Sequence, residues 1–246
     1  MTVGLGLAVG CTRELPLAEQ PAYCELPPAS GDRLVSTAAT GLPVYYRLTN
    51  QLPESITATL FADFEPGPFA AGMLAKTRQC LAEASDWITG PQGEKLNLRF
   101  ASPSELDQAP VRSRISLTTE PYRRGHLFLW HTAWGCPEIL HEVMHLVGLV
   151  DEYAEDGVFQ CRSLGPSDSL MTNPHAAYHA VVDQRLRPSL LYPVQFQAIV
   201  YPGCRTQNSV YLQCAANAYR RPSQTGLSCE HAPPQCRSGR TDWIVY

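Results

Sequence analysis

The sequence predicts a single α+β domain stapled by disulfides, with an extended lead-in before it and an appendage behind it. Three observations carry this expectation. Between residues 55 and 201, alternating and helically periodic segments follow in the order strand, helix, strand, strand, strand, helix, irregular stretch, helix. Hydrophobic residues make up 44% of 246 residues, enough for one sizeable core. Nine cysteines are scattered through the chain without a C-x-x-C pair, which suits disulfides in an oxidising compartment better than a cysteine-built metal site.

Residues 12–54 carry Pro16, Pro21, Pro27, Pro28, Pro43 and Pro53 and read as a wrapped or extended Pro-rich lead-in. In Ser55–Phe64, the residues Ile56, Ala58, Leu60, Ala62 and Phe64 alternate with mostly polar neighbours, the period of a half-buried strand. Glu65-Pro66-Gly67-Pro68 breaks the chain. Over residues 69–89, Met73, Leu74, Thr77, Leu81, Ala84, Trp87 and Ile88 recur at helical spacing until Gly90-Pro91 stops them. Leu96, Leu98 and Phe100 mark a second strand, Arg112–Thr119 a third with Ile115 and Leu117 inward, and His126–His131 a short aromatic fourth. A helix then begins near Pro137, a residue type suited to a first helical turn. Its apolar face is Ile139, Leu140, Val143, Met144 and Val147, and Gly148 stands where a left-handed C-terminal cap belongs. Pro193 opens a last helix over 193–201, packed through Val194, Phe196, Ile199 and Val200. Residues 55–203 thus make the core domain, and 204–246, with four cysteines and little periodicity, a Cys-rich C-terminal appendage.

Charged residues are 17% of the chain and the formal net charge is -4, so nothing points to nucleic acid, which would want a basic patch. No segment is long and apolar enough for a transmembrane span. Leu7-Ala8-Val9-Gly10-Cys11 resembles a bacterial lipoprotein processing box, which would make residues 1–11 a signal remnant and Cys11 a lipid anchor. No Lys or Arg precedes the apolar stretch 2–10, which places the start of such a leader upstream. Without Cys11 the remaining cysteines allow roughly a hundred pairings, so none is assigned. The expected location is extracytoplasmic, whether secreted, periplasmic or lipoprotein-anchored.

The chemistry concentrates in His141-Glu142-Val143-Met144-His145-Leu146-Val147-Gly148-Leu149-Val150-Asp151, which reads H-E-x-x-H-x-x-G-x-x-D. Side chains four apart share a helix face, so His141 and His145 can offer imidazole nitrogens to one zinc ion at roughly 2.0–2.1 Å. Glu142 is rotated from the metal but within reach of an attacking water, whose proton it would take and later pass to a leaving amine. A catalytic zinc keeps three protein ligands and one open position. After Glu155 the next glutamate is Glu230, in the appendage, so a glutamate on a later helix is not available as third ligand. Asp151 is the better choice, because Gly148 lets the backbone reverse and bring it beneath the metal. The bare pentapeptide also fits an amphipathic helix with two surface histidines. Gly148, Asp151 and the turn-like Ser169-Leu170-Met171-Thr172-Asn173 weigh against that.

With these residues the chain resembles the metzincin metallopeptidases, which carry H-E-x-x-H-x-x-G-x-x-H or D and then a methionine turn beneath the zinc. The aspartate form is that of the snapalysin-like family. Gly148-Leu149-Val150-Asp151-Glu152-Tyr153 also resembles the G-L-x-D-E-Y of some immunoglobulin-cleaving bacterial metallopeptidases, which have one more residue before it. The matching motifs span residues 138–173. The element order of 55–201 resembles a metzincin core: a twisted, mainly parallel sheet with a backing helix, an active-site helix and a C-terminal helix. The resemblance implies that His141, His145 and Asp151 ligate zinc, that Glu142 is the general base, and that Met171 is a packing methionine and not a ligand. It implies too that substrate adds as an antiparallel strand to the edge strand at 126–131, and that residues 174–190 wall the pocket on the leaving-group side. Asn173 departs from the pattern, since several metzincins have a tyrosine there to assist the oxyanion; Tyr153 and Tyr178 are the substitutes, or zinc serves alone.

The implied activity is that of a secreted or lipid-anchored zinc endopeptidase acting on a protein or peptide, dedicated to one target if it is a toxin or effector. The same residues would serve a zinc hydrolase of a non-protein amide such as cell-wall peptide. A non-catalytic surface-binding lipoprotein is the alternative of another class, and Glu142 argues against it because a binder does not need that carboxylate. His175 and His179, four apart, fit a second metal, a pocket wall or a polar loop. His126 and His131 flank the short strand as rim residues, and Trp130 and Trp134 fit either cleft or core. Cys24 fits a zinc-blocking thiolate or a disulfide, and Glu152 and Asp156 lack calcium-loop spacing.

Overall fold

A computed structural model of the chain describes residues 33–37, 44–52, 55–90, 93–109, 111–120, 127–149 and 168–200. The alternating run from Ser55 to Phe64 forms two strands, β3 (Ser55–Leu60) and β4 (Ala62–Phe64). β3 lies in a four-stranded sheet with β1 (Arg33–Thr37), β2 (Val44–Leu52) and β5 (Lys95–Phe100), in the order β1-β2-β3-β5. The β1–β2 and β2–β3 ladders are antiparallel and β3–β5 is parallel. β4 instead joins β6 (Ser113–Thr118) and β7 (Leu129–His131) in a three-stranded, wholly parallel sheet. Phe61 is the transfer point: its N–H donates to the Tyr45 carbonyl (3.5 Å) and its carbonyl accepts from Ser113 N–H (2.8 Å). The single mainly parallel sheet expected from the sequence is therefore two small sheets sharing one stretch of chain. Alternation records which face a side chain takes, and says nothing of which neighbour the backbone pairs with.

Helix α1 (Ala70–Ser85) makes the crossover that the parallel β3–β5 pair requires. Its buried residues Met73, Thr77, Cys80, Leu81 and Ala84 recur at three- and four-residue steps, the stripe a helix turns toward a core. β5 buries Leu96, Leu98 and Phe100 and exposes or half-exposes the residues between them. In β6 Ile115 is fully buried while Leu117, expected inward as well, is only half-buried. A short helix unforeseen in the sequence, α2 (Pro103–Asp107), is nucleated by a capping box: Glu105 N–H donates to Ser102 Oγ and Ser102 N–H to Glu105 Oε2.

The motif helix α3 (Cys136–Leu146) packs against α1 and is bonded to it by the disulfide Cys80–Cys136, with Cα atoms 5.3 Å apart. The stretch read as irregular contains α4 (Pro174–Tyr178) and a π-helical turn, His179–Asp183, before α5 (Pro193–Val200). α5 adds Phe196, Ile199 and Val200 to the core. Tyr46 Oη donates to the Ile199 carbonyl (2.9 Å), and Phe196 presses so closely on Gly90 that a Cβ there would lie 2.4 Å from its ring. Trp130 is a core residue, not a cleft residue: it is fully buried, edge-on to Phe64 at 5.4 Å, and its Nε1 donates to the Leu127 carbonyl. Among the described residues no helix is long and apolar enough to cross a membrane.

Candidate functional site

Helix α3 is defined by a side-chain cap at its start and by backbone geometry at its end. At its start Gly135 N–H donates to Glu138 Oε2 (3.0 Å), satisfying an amide that the helix leaves without an intrahelical acceptor. At its end Gly148 adopts φ +91°, a left-handed conformation that favours glycine. Gly148 N–H bonds to the His145 carbonyl (3.0 Å) and Leu149 N–H to the Met144 carbonyl (3.0 Å), the paired bonds of a Schellman cap. The chain therefore reverses at Gly148; Asp151 lies outside the described residues.

Between these ends, every residue from Ile139 to Leu146 is buried, including three that titrate: His141 is 7% exposed, Glu142 8% and His145 4%. That burial is incompatible with an amphipathic helix carrying two surface histidines. The imidazoles face each other with centroids 4.9 Å apart and planes at 87°. His141 Nδ1 is 3.0 Å from the Leu170 carbonyl, and His145 Nδ1 is 2.9 Å from the Leu149 carbonyl. A carbonyl oxygen can only accept, so each Nδ1 carries a proton and, in the neutral ring, each Nε2 carries the lone pair. This is the tautomer a metal ligand needs, set by outer hydrogen bonds. The donor set thus fits zinc as far as it is described. Among the described residues no group of three or more His, Cys, Asp or Glu side chains is arranged around one metal position, and the expected third ligand is Asp151.

Met171 is fully buried in the same hydrophobic cluster as Val143 and Met144, as a packing residue would be. It sits in a tight turn in which the Ser169 carbonyl accepts from both Thr172 N–H (3.0 Å) and Asn173 N–H (2.8 Å). Asn173 is the N-cap of α4, its Oδ1 accepting from Ala176 N–H (3.1 Å), so its side chain is committed to the helix. Tyr178 is partly buried beside the core, and burial pushes its hydroxyl pKa up, helped by the charges of Glu83 and Asp183. It stays protonated at neutral pH, and the carboxylates acting on it belong to α1 and the π-helical turn.

His175 and His179 do not converge. His175 Nε2 contacts Glu138 Oε1 (2.9 Å) and His179 Nδ1 contacts Asp183 Oδ2 (2.8 Å), with the imidazoles 67% and 58% exposed. His131 is half-buried beside Trp134, their centroids 5.5 Å apart, and Trp134 packs in turn against the core. His126, Glu152, Tyr153, Asp156, Cys11 and Cys24 lie outside the described residues. Sequence reading passed over Gln195 and took Ser169 only as the start of the turn, yet both belong to the site's surroundings, fully buried and joined by a 2.9 Å hydrogen bond from Gln195 Nε2 to Ser169 Oγ. The available signal was a glutamine between Pro193 and Phe196, at a position where the helix turns inward. No family model matches the sequence, and no curated protein or solved structure matches it either.

Proposed function

We propose that this protein is an extracytoplasmic zinc endopeptidase of the metzincin type, in which His141, His145 and Asp151 hold one zinc ion and Glu142 is the general base. The observation that carries the reading is the orientation of the two buried imidazoles. Each Nδ1 is tied to a backbone carbonyl, and one of those carbonyls, Leu170, belongs to the turn that carries Met171.

When bound, zinc lowers the pKa of water to about 7 and polarises the scissile carbonyl. Glu142 follows His141 on the helix, roughly 100° further round. From there its carboxylate accepts the proton of the attacking water and delivers it to the leaving nitrogen, so that the peptide bond breaks without a covalent intermediate. The surrounding apolar cluster, with Val143, Met144 and Met171 fully buried, keeps bulk water from the reacting groups. The Cys80–Cys136 disulfide supports an oxidising compartment, and Cys11 is the proposed point of lipid attachment.

The test is zinc content together with chelator-sensitive cleavage of a peptide library by wild type and Glu142→Gln. We expect about one zinc per chain in both, since the ligand set is untouched. The variant's rate should fall by about 10²–10⁴-fold, the usual contribution of a general base. Cleavage by Glu142→Gln at the wild-type rate would remove the mechanism.

A further inference from the structure

We infer that Ser169 and Gln195 are positioning residues for the zinc ligand His141, acting through the Leu170 carbonyl; the inference rests on the zinc reading above. The chain of contacts begins at α5. Tyr192 N–H is 2.8 Å from Gln195 Oε1, and because that amide can only donate, the orientation of the glutamine is fixed. Its Nε2 therefore faces Ser169 Oγ and donates to it at 2.9 Å. Ser169 Oγ also accepts from Met171 N–H (3.3 Å), while the Ser169 carbonyl takes Thr172 and Asn173 N–H. These bonds wind the backbone around residue 169 and leave the next carbonyl, Leu170, aimed at His141 Nδ1 at 3.0 Å.

Residue 168 is held from the same side. Arg187 Nη2 donates to the Asp168 carbonyl (2.7 Å), and Tyr192 Oη donates to Asp168 Oδ1 (2.7 Å). Both Gln195 and Ser169 are fully buried, where a polar side chain is tolerated only with its hydrogen bonds made. An apolar residue would fill either place without that cost. The pair instead ties the last described helix to the acceptor of a ligand's Nδ1–H. Without that acceptor the imidazole loses the bond that selects its tautomer and its ring orientation.

The experiment measures zinc affinity of the full chain by competition with a chromophoric chelator, alongside thermal unfolding of the zinc-free protein. The variants are Ser169→Ala, Ser169→Thr and Gln195→Met. Gln195→Met replaces the amide with an apolar chain of similar length and removes its bonds to Tyr192 N–H and Ser169 Oγ without adding a charge, so it reports on the strap even if Ser169→Ala does not fold. Ser169→Ala and Gln195→Met should each weaken zinc binding about tenfold, the lower end for loss of an outer hydrogen bond to a ligand. Ser169→Thr retains the hydroxyl and should restore wild-type affinity. Folded variants with lowered thermal stability and unchanged zinc affinity would assign the pair a structural role and overturn the inference, leaving the zinc reading in place. A wild-type chain that binds no zinc would overturn both.

Discussion

Removing the Cys80–Cys136 bond, by Cys80→Ala with Cys136→Ala, should cost global stability while leaving the proposed metal ligands in place. Cys80 lies in the buried face of α1, and Cys136 is the first residue of α3, five before His141. The bond closes a loop with a sequence separation of 56. Closing a loop of that length removes conformational entropy from the unfolded chain worth on the order of 4 kcal/mol at 25 °C. For a chain of this size that corresponds to a fall of roughly 8–16 °C in Tm. The start of α3 keeps its other restraint, the Glu138 carboxylate on Gly135 N–H, so the helix itself should persist. His141 and His145 are oriented by the Leu170 and Leu149 carbonyls and not by Cys136, so zinc affinity of the folded variant should be unchanged. Urea unfolding of the zinc-free proteins, followed by tryptophan fluorescence, measures the first quantity and chelator competition the second. A stability loss below about 1 kcal/mol would refute the loop-closure reasoning, since native bridges in small secreted domains contribute about 2–5.

Two further outcomes follow from single groups. Gly148→Ala forces a Cβ into a left-handed conformation and should cost about 1–2 kcal/mol in urea unfolding; a neutral effect would show that the helix does not end in the cap described. Hydrogen bonds from Arg99 hold the Glu105 carboxyl down from 4.5 to about 2, with the Ser102 amide assisting. Because the folded value is depressed, the pair's stabilisation is present above pH 4.5 and is lost as pH falls from 4.5 toward 2. Arg99 is 47% exposed, so the loss should stay below about 1 kcal/mol. In Arg99→Met an NMR titration should find Glu105 returning toward its ordinary value, and an unmoved titration would contradict the assignment.

What the sequence made legible was one-dimensional. The inward positions Met73, Thr77, Leu81 and Ala84 of α1, the alternation of β5 and the ends of α3 follow from residue spacing and from Gly148, but α1 stops at Ser85, short of Trp87 and Ile88, and Cys80 joins its buried face. The partners of each strand were not legible. Phe61 looks like any residue between Leu60 and Ala62, yet the backbone changes sheets there because Tyr45 and Ser113 arrive from distant parts of the chain. β1 and β2 were hidden in a Pro-rich segment whose composition suggested a lead-in. α2 and α4 are five residues each, too short for periodicity, and only their caps, Ser102 with Glu105 and Asn173, announce them. For the site, spacing placed His141, Glu142 and His145 on one helix. It could not foresee that backbone carbonyls would choose the histidine tautomer, nor that Gln195 would reach the turn holding one of them, because both depend on long-range packing.

X-ray absorption at the zinc edge of the zinc-loaded full chain reads directly the proposed shell of two α3 imidazoles and one carboxylate. The account predicts two imidazole nitrogens at about 2.0–2.1 Å with oxygen completing the shell, and loss of one oxygen ligand in Asp151→Ala. A shell containing sulfur at about 2.3 Å, or a spectrum unchanged by His145→Ala, would contradict it.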